Sequence, residues 1–122
     1  MRSFLEVLKE RVLVFDGAMG TSIQNKGTGH IDFQGNECNE YINILQPEFI
    51  KDIHADFLIA GADVIETNTF GALPYLLKDY GLETQAVEIN RAGARLALEA
   101  AFAYSTEEKP RFVSGKIGRA HV

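Results

Sequence analysis

The sequence is short of several things that would each have named a function class. Cysteine occurs once, as Cys38, so no intrachain disulfide can form. A reducing cytoplasm fits that usage better than secretion does. Basic residues are outnumbered, 12 Lys and Arg against 17 Asp and Glu, giving a formal net charge of -5. That argues against a nucleic-acid or anionic-membrane binding surface, since both want clustered Lys and Arg. No apolar run approaches the ~20 residues of a membrane-spanning helix. The amphipathic start, Met1 to Glu10, lacks the apolar core of a signal peptide. Low-complexity tracts, internal repeats beyond a β/α alternation, a Walker loop, a Ser–His–Asp set and paired carboxylates are also missing. No CxxC accompanies Cys38, and His30 and His54 stand at no ligand spacing.

What is present is an ordinary globular mixture, 46% hydrophobic and 24% charged in 122 residues, the size of one small domain. Residues 3–10 suit a short helix with Phe4, Leu5 and Leu8 on one side. Val12–Phe15 is an unbroken apolar run closed by Asp16-Gly17, the pattern of a strand buried on both faces. Residues 17–46 carry no sustained period and read as a long loop. Pro47 then opens a helix, with Glu48 in its first turn. Ile50, Ile53, Phe57 and Leu58 form its apolar stripe, Lys51, Asp52 and Asp56 point away, and Gly61 stops it. Asp63–Asn68 is a second strand. A short helix or turn covers 73–80, and a long helix covers 84–104. Ala86, Ile89, Gly93, Leu96, Ala97 and Ala100 make the buried stripe of that helix, opposite Glu88, Arg91, Arg95 and Glu99. Residues 111–115 make a third strand.

The order β, loop, α, β, α, β predicts parallel strands joined by crossover helices. Asp16-Gly17-Ala18-Met19-Gly20 lacks the G-x-G-x-x-G spacing of a dinucleotide fold. Barrel and open sheet stand level on these patterns. In either, ligands gather beyond the C-terminal ends of the strands, and two such ends carry polar residues. At the first, Asp16 could hold an ammonium while the N–H groups of Gly17 to Met19 hold a carboxylate, the polarity of an α-amino acid. The alternative is an aspartate that only caps a tight turn. At the second, Glu66 and Asn68 share strand parity and would face an interior, with Ile65 toward the helices. The alternative there is a hydrogen-bonded Glu66–Asn68 pair. His54 reads as a packed or flanking side chain.

Four segments together resemble a known family. They are Val14–Thr21, Cys38-Asn39-Glu40-Tyr41, Gln46-Pro47-Glu48 with Ile53-His54, and Ala60–Gly71. In this order they are similar to the homocysteine S-methyltransferase domain, closest to the N-terminal barrel of cobalamin-dependent methionine synthase, over roughly residues 10–115. The resemblance implies an α/β fold, the N-terminal portion of a (β/α)8 TIM barrel, with about three of eight strands in residues 1–115. It implies homocysteine bound by Asp16, Gly17, Ala18 and Met19, with Asn68 and Thr69 near the site. It implies a parent enzyme that transfers a methyl group from methylcobalamin to a zinc-bound homocysteine thiolate, giving methionine. Methyltetrahydrofolate and cobalamin domains of the full-length enzyme are the implied partners, and nucleic acid and membrane are not. The family's zinc cysteines belong to later strands, so Cys38 is not expected to be a ligand, no catalytic residue is expected here, and the fragment alone is expected to be inactive. A cobalamin-independent relative using betaine or S-methylmethionine is the rival, and a non-catalytic partial barrel is a reading of another class. Residues 116–122 depart from the family pattern. Ile117–Val122 reads like a translated sequencing adapter, so 116–122 is expected to be a non-native tail.

Overall fold

The structure, a computed structural model, describes residues 2–118. Of the expected tail, 119–122 lie outside the described residues. Helix α1 (Phe4–Leu8) starts from a capping box: Glu6 N–H donates to the Ser3 hydroxyl, and Ser3 N–H donates to the Glu6 carboxylate. Its inward residues are Val7, buried, and Phe4, which meets Phe112 edge-on at 5.5 Å. These two are three apart and share a helix face. Leu5 and Leu8, expected on one side with Phe4, are exposed.

Residues 12–16 run parallel beside β1 (Val64–Glu66). Val14 O accepts from Asp63 N and Val64 N, and Asp16 N donates to Val64 O at 2.9 Å. Only Phe15 is bridged, to Val64. β1 pairs in parallel with β2 (Phe112–Ser114), Ile65 opposite Val113. The described residues therefore hold a two-stranded sheet and a bridged edge segment, not three full strands. The doubly buried first strand is also corrected. Val12, Val14 and Phe15 are 82%, 57% and 46% exposed. A strand is buried on both faces only where a layer covers each, and among the described residues the helices cover one.

Residues 17–46 are not a plain loop. They contain α2 (Met19–Lys26), a 3-10 turn at Asn39–Tyr41 and α3 (Ile42–Leu45). Helix α2 is two turns long and mostly polar. Its packing rests on Met19 and Ile23, four apart, against the cluster of Phe49, Ile50 and Ile53. Two apolar residues in eight leave no readable period. The turn at Asp16 thus does lead into a helix.

Helix α4 (Pro47–Ile59) begins at the proline and ends as expected at Gly61, φ 110°. There Gly61 N donates to Leu58 O and Ala62 N to Phe57 O, the two bonds of a Schellman stop. After α5 (Pro74–Leu77), α6 (Ala86–Tyr104) packs along α4. The predicted α6 stripe is buried throughout. Ala97, Ala100 and Ala101 have almost no side chain to hold the helix off, so Leu58 and Ile65 pack directly against them. Ile65 is fully buried, worth roughly 1.5–3 kcal/mol.

One buried charge ties the edge segment to β1. Asp63 Oδ2 accepts from Val14 N at 2.9 Å, and Oδ1 stands 3.0 Å from Arg11 and 3.7 Å from Lys109. Burial pushes this carboxyl up, but Arg11, the Val14 N–H and Lys109 outweigh it and hold it below the usual range.

Candidate functional site

A cavity of about 360 Å³ opens where residues 12–16 and β1 end. All six residues expected at a substrate site line it: Asp16, Gly17, Ala18, Met19, Asn68 and Thr69. Asp16 and Glu66 are fifty residues apart in sequence, and parallel pairing brings their strand ends together. Glu66 N donates to Asp16 Oδ2 at 3.0 Å. Asp16 Oδ1 is buried and has no partner among the described residues. Burial, with Glu66 close by, pushes Asp16 up to about 6, against the pull of the Glu66 N–H and Lys116. Among the described residues no cation is paired with this carboxyl.

Gly17 lets the turn pass close to α4, since a Cβ there would stand 3.2 Å from the Phe57 ring. The chain then enters α2 with Ala18 at the N-cap, which offers no side-chain cap. The first-turn N–H groups of α2 are left over beside the cavity that Ala18, Met19 and Gly20 line. They form the positive end of the helix dipole, suited to a carboxylate. The wall of one cavity therefore carries both the Asp16 carboxyl and the uncapped start of α2.

The opposite wall comes from Asn39, Glu40, Asn68 and Phe70. Asn68 does not pair with Glu66. The strand ends at Glu66, and past it the side-chain alternation no longer holds. Asn68 Nδ2 donates to Asn39 O at 3.1 Å and to Asn43 Oδ1 at 3.0 Å. Asn43 Nδ2 returns a bond to Asn68 O at 2.8 Å. Glu40 Oε2 accepts from Gly71 N at 3.2 Å, and Cys38 Sγ donates to Glu40 Oε1 at 3.4 Å. The Thr69 hydroxyl is engaged with Thr67 Oγ1 and with Lys116 O. Lys116 Nζ lies 3.2 Å from Glu66. Three carboxylates, from Asp16, Glu40 and Glu66, thus surround the cavity, and the sequence reading missed Glu40 as a wall. Its signal was there in Cys38-Asn39-Glu40-Tyr41. Asn43 had none.

Cys38 is buried and free, and burial with Glu40 beside it pushes its thiol up to about 11. A protonated thiol is a poor metal ligand. Among the described residues no three of His, Cys, Asp and Glu converge on a metal position. His54 is fully buried on α4, away from the cavity, with neither ring nitrogen bonded among the described residues. This fits the packed side chain expected. No helix among the described residues is long and apolar enough to cross a membrane.

The family model for homocysteine S-methyltransferase matches residues 13–122. Two solved structures of the homocysteine methyltransferase MmuM from Escherichia coli are similar in fold. The metallated form has a TM-score of 0.76 at 25% identity, over 93% of this chain and 40% of that one. The oxidised form has a TM-score of 0.76 at 26% identity, over 92% and 39%. The chain spans about two-fifths of the length of these relatives, matching that part of their α/β fold. With the family match running from the edge segment through both strands, the chain belongs to the homocysteine S-methyltransferase family.

Proposed function

We propose that this chain is the amino-acid-binding, N-terminal part of the (β/α)8 barrel of a homocysteine S-methyltransferase of the methionine synthase type. The observation that carries the reading is the unpartnered, buried Asp16 Oδ1 in one cavity with the uncapped start of α2. Asp16 takes the ammonium of homocysteine. The N–H groups following Gly17, Ala18 and Met19 take its carboxylate. Asn68 and Thr69 form the adjoining wall. An α-amino acid held at both ends has its side chain directed out of this corner, and the ordering entropy is met by binding before methyl transfer.

Zinc is the metal the family resemblance implies, and these residues do not fit it. No three ligands converge among the described residues, and the Cys38 thiol is held protonated. No step is therefore derived through a metal here. In the proposal for the whole enzyme, zinc, methylcobalamin and methyltetrahydrofolate act with residues other than these, in a cytoplasmic protein, and the isolated chain is inactive. The Cys38–Tyr41 motif and the long segment 17–46 favour this branch over betaine or S-methylmethionine enzymes.

The test is methionine formation from L-homocysteine by the full-length protein. Turnover with methyltetrahydrofolate and cobalamin is expected. Turnover with betaine or S-methylmethionine alone would move the protein to the cobalamin-independent branch, and no turnover with any donor would remove the enzymatic reading.

A further inference from the structure

The carboxamide of Asn68 is oriented by a residue that does not line the cavity. Asn43 is 1% exposed and absent from the cavity wall. Its Nδ2 lies 2.8 Å from Asn68 O and 3.3 Å from Ile89 O. Two carbonyl oxygens on one side of an amide demand its NH2 there, so Asn43 Oδ1 faces the other way. That oxygen accepts from Asn68 Nδ2 at 3.0 Å, and the second Nδ2 proton of Asn68 goes to Asn39 O at 3.1 Å. Turning Asn68 over would set its oxygen against two oxygens. Both donors of Asn68 are thus spent inward, and Oδ1 is the polar atom the network leaves over.

We infer that Asn43 is a positioning residue that sets the polarity of the amino-acid site: it locks Asn68 so that the cavity receives an oxygen, an acceptor for a ligand ammonium. The inference rests on the amino-acid-binding reading above and extends it. The ammonium then meets Asp16 Oδ1 and Asn68 Oδ1, and the ligand carboxylate is left to the start of α2. An Asn68 free to turn would offer NH2 to the ammonium for part of the time, a donor facing a donor. The Ile89 carbonyl at one end makes the relay continuous from α6 through α3 to the end of β1.

The test compares L-homocysteine with 4-sulfanylbutanoate, which lacks the amino group, by calorimetric titration of the full-length protein. Asn43→Ser removes the lock. It is expected to weaken homocysteine about tenfold, the scale of one charge-assisted hydrogen bond, and to leave 4-sulfanylbutanoate unchanged within about twofold. Equal weakening of both ligands by Asn43→Ser, or no weakening, would overturn the relay. Failure of the wild-type protein to bind homocysteine would instead sink the homocysteine reading. The relay itself is then judged without a ligand, by NMR of this chain. The Asn68 side-chain NH2 protons are expected to exchange slowly in wild type, and fast exchange there would refute the lock even if the variant does not fold.

Discussion

Asp16→Asn is expected to strengthen the fold and weaken amino-acid binding, two effects with one cause. The Asp16 carboxyl titrates at about 6 rather than 3.8 because it is partly buried, with Glu66 close by. A folded-state value above the unfolded one means that protonation favours the folded chain. The stability linked to it is complete below about pH 4 and is lost as pH rises through about 6. Roughly two units correspond to at most about 3 kcal/mol, and partial exposure of the group screens this to about 1 kcal/mol. Asparagine fits the same hydrogen bonds: its oxygen can still accept from Glu66 N, and its NH2 stands where Asp16 had an unpartnered oxygen. The assay is urea unfolding of both proteins followed by circular dichroism, from pH 4 to pH 7.5. The variant is expected to gain on wild type by about 1 kcal/mol across that range, with most of the change between about pH 4 and pH 6. Homocysteine affinity falls by about tenfold or more, since the charge opposite the ammonium is gone. A stability difference that is flat with pH, or a variant that is weaker at pH 7.5, would refute the account of Asp16 as a strained, cation-seeking carboxylate.

Three further outcomes follow from the packing. Asp63→Ala leaves Val14 N–H without its acceptor and Arg11 without its carboxylate, so urea unfolding at pH 7 should show a loss of about 2 kcal/mol. Because the wild-type carboxyl is held low, that loss should shrink as pH falls below about 4; a loss constant with pH would contradict the role of its charge. Burial keeps His54 neutral by lowering it to about 4, so the unfolded chain binds the extra proton between about pH 6.5 and 4. His54→Leu should remove up to about 3 kcal/mol of acid sensitivity in that window, seen as a flatter melting temperature against pH. The exposed Val12, Val14 and Phe15 present an apolar edge, and sedimentation should detect concentration-dependent self-association of this chain that Val14→Lys reduces. A monodisperse wild type would show that this edge is not adhesive.

Some of this protein is written in short stretches of its sequence. Pro47 and Gly61 bound α4 because proline is preset for a first helical turn and glycine tolerates the left-handed stop. The α6 stripe is legible for the same reason, as nineteen residues repeat the helical period often enough to be read. The motifs at Asp16–Thr21 and Ala60–Gly71 carried the family, and the residues expected at the site do line one cavity. Other features were not legible. Helix α2 exists because Met19 and Ile23 find α4, and two apolar residues have no period of their own. The exposure of Val12, Val14 and Phe15 depends on what layers lie above and below, which no local pattern encodes. Glu40 and Asn43 acquire meaning only from Gly71, Asn68 and Ile89, up to forty-six residues away. Local propensity and periodicity act between neighbours in sequence and so determined α4, α6 and the polar strand ends. Which oxygen of Asp16 lacks a partner, and which way Asn68 turns, are set by hydrogen bonds between distant segments, and those exist only once the chain has packed.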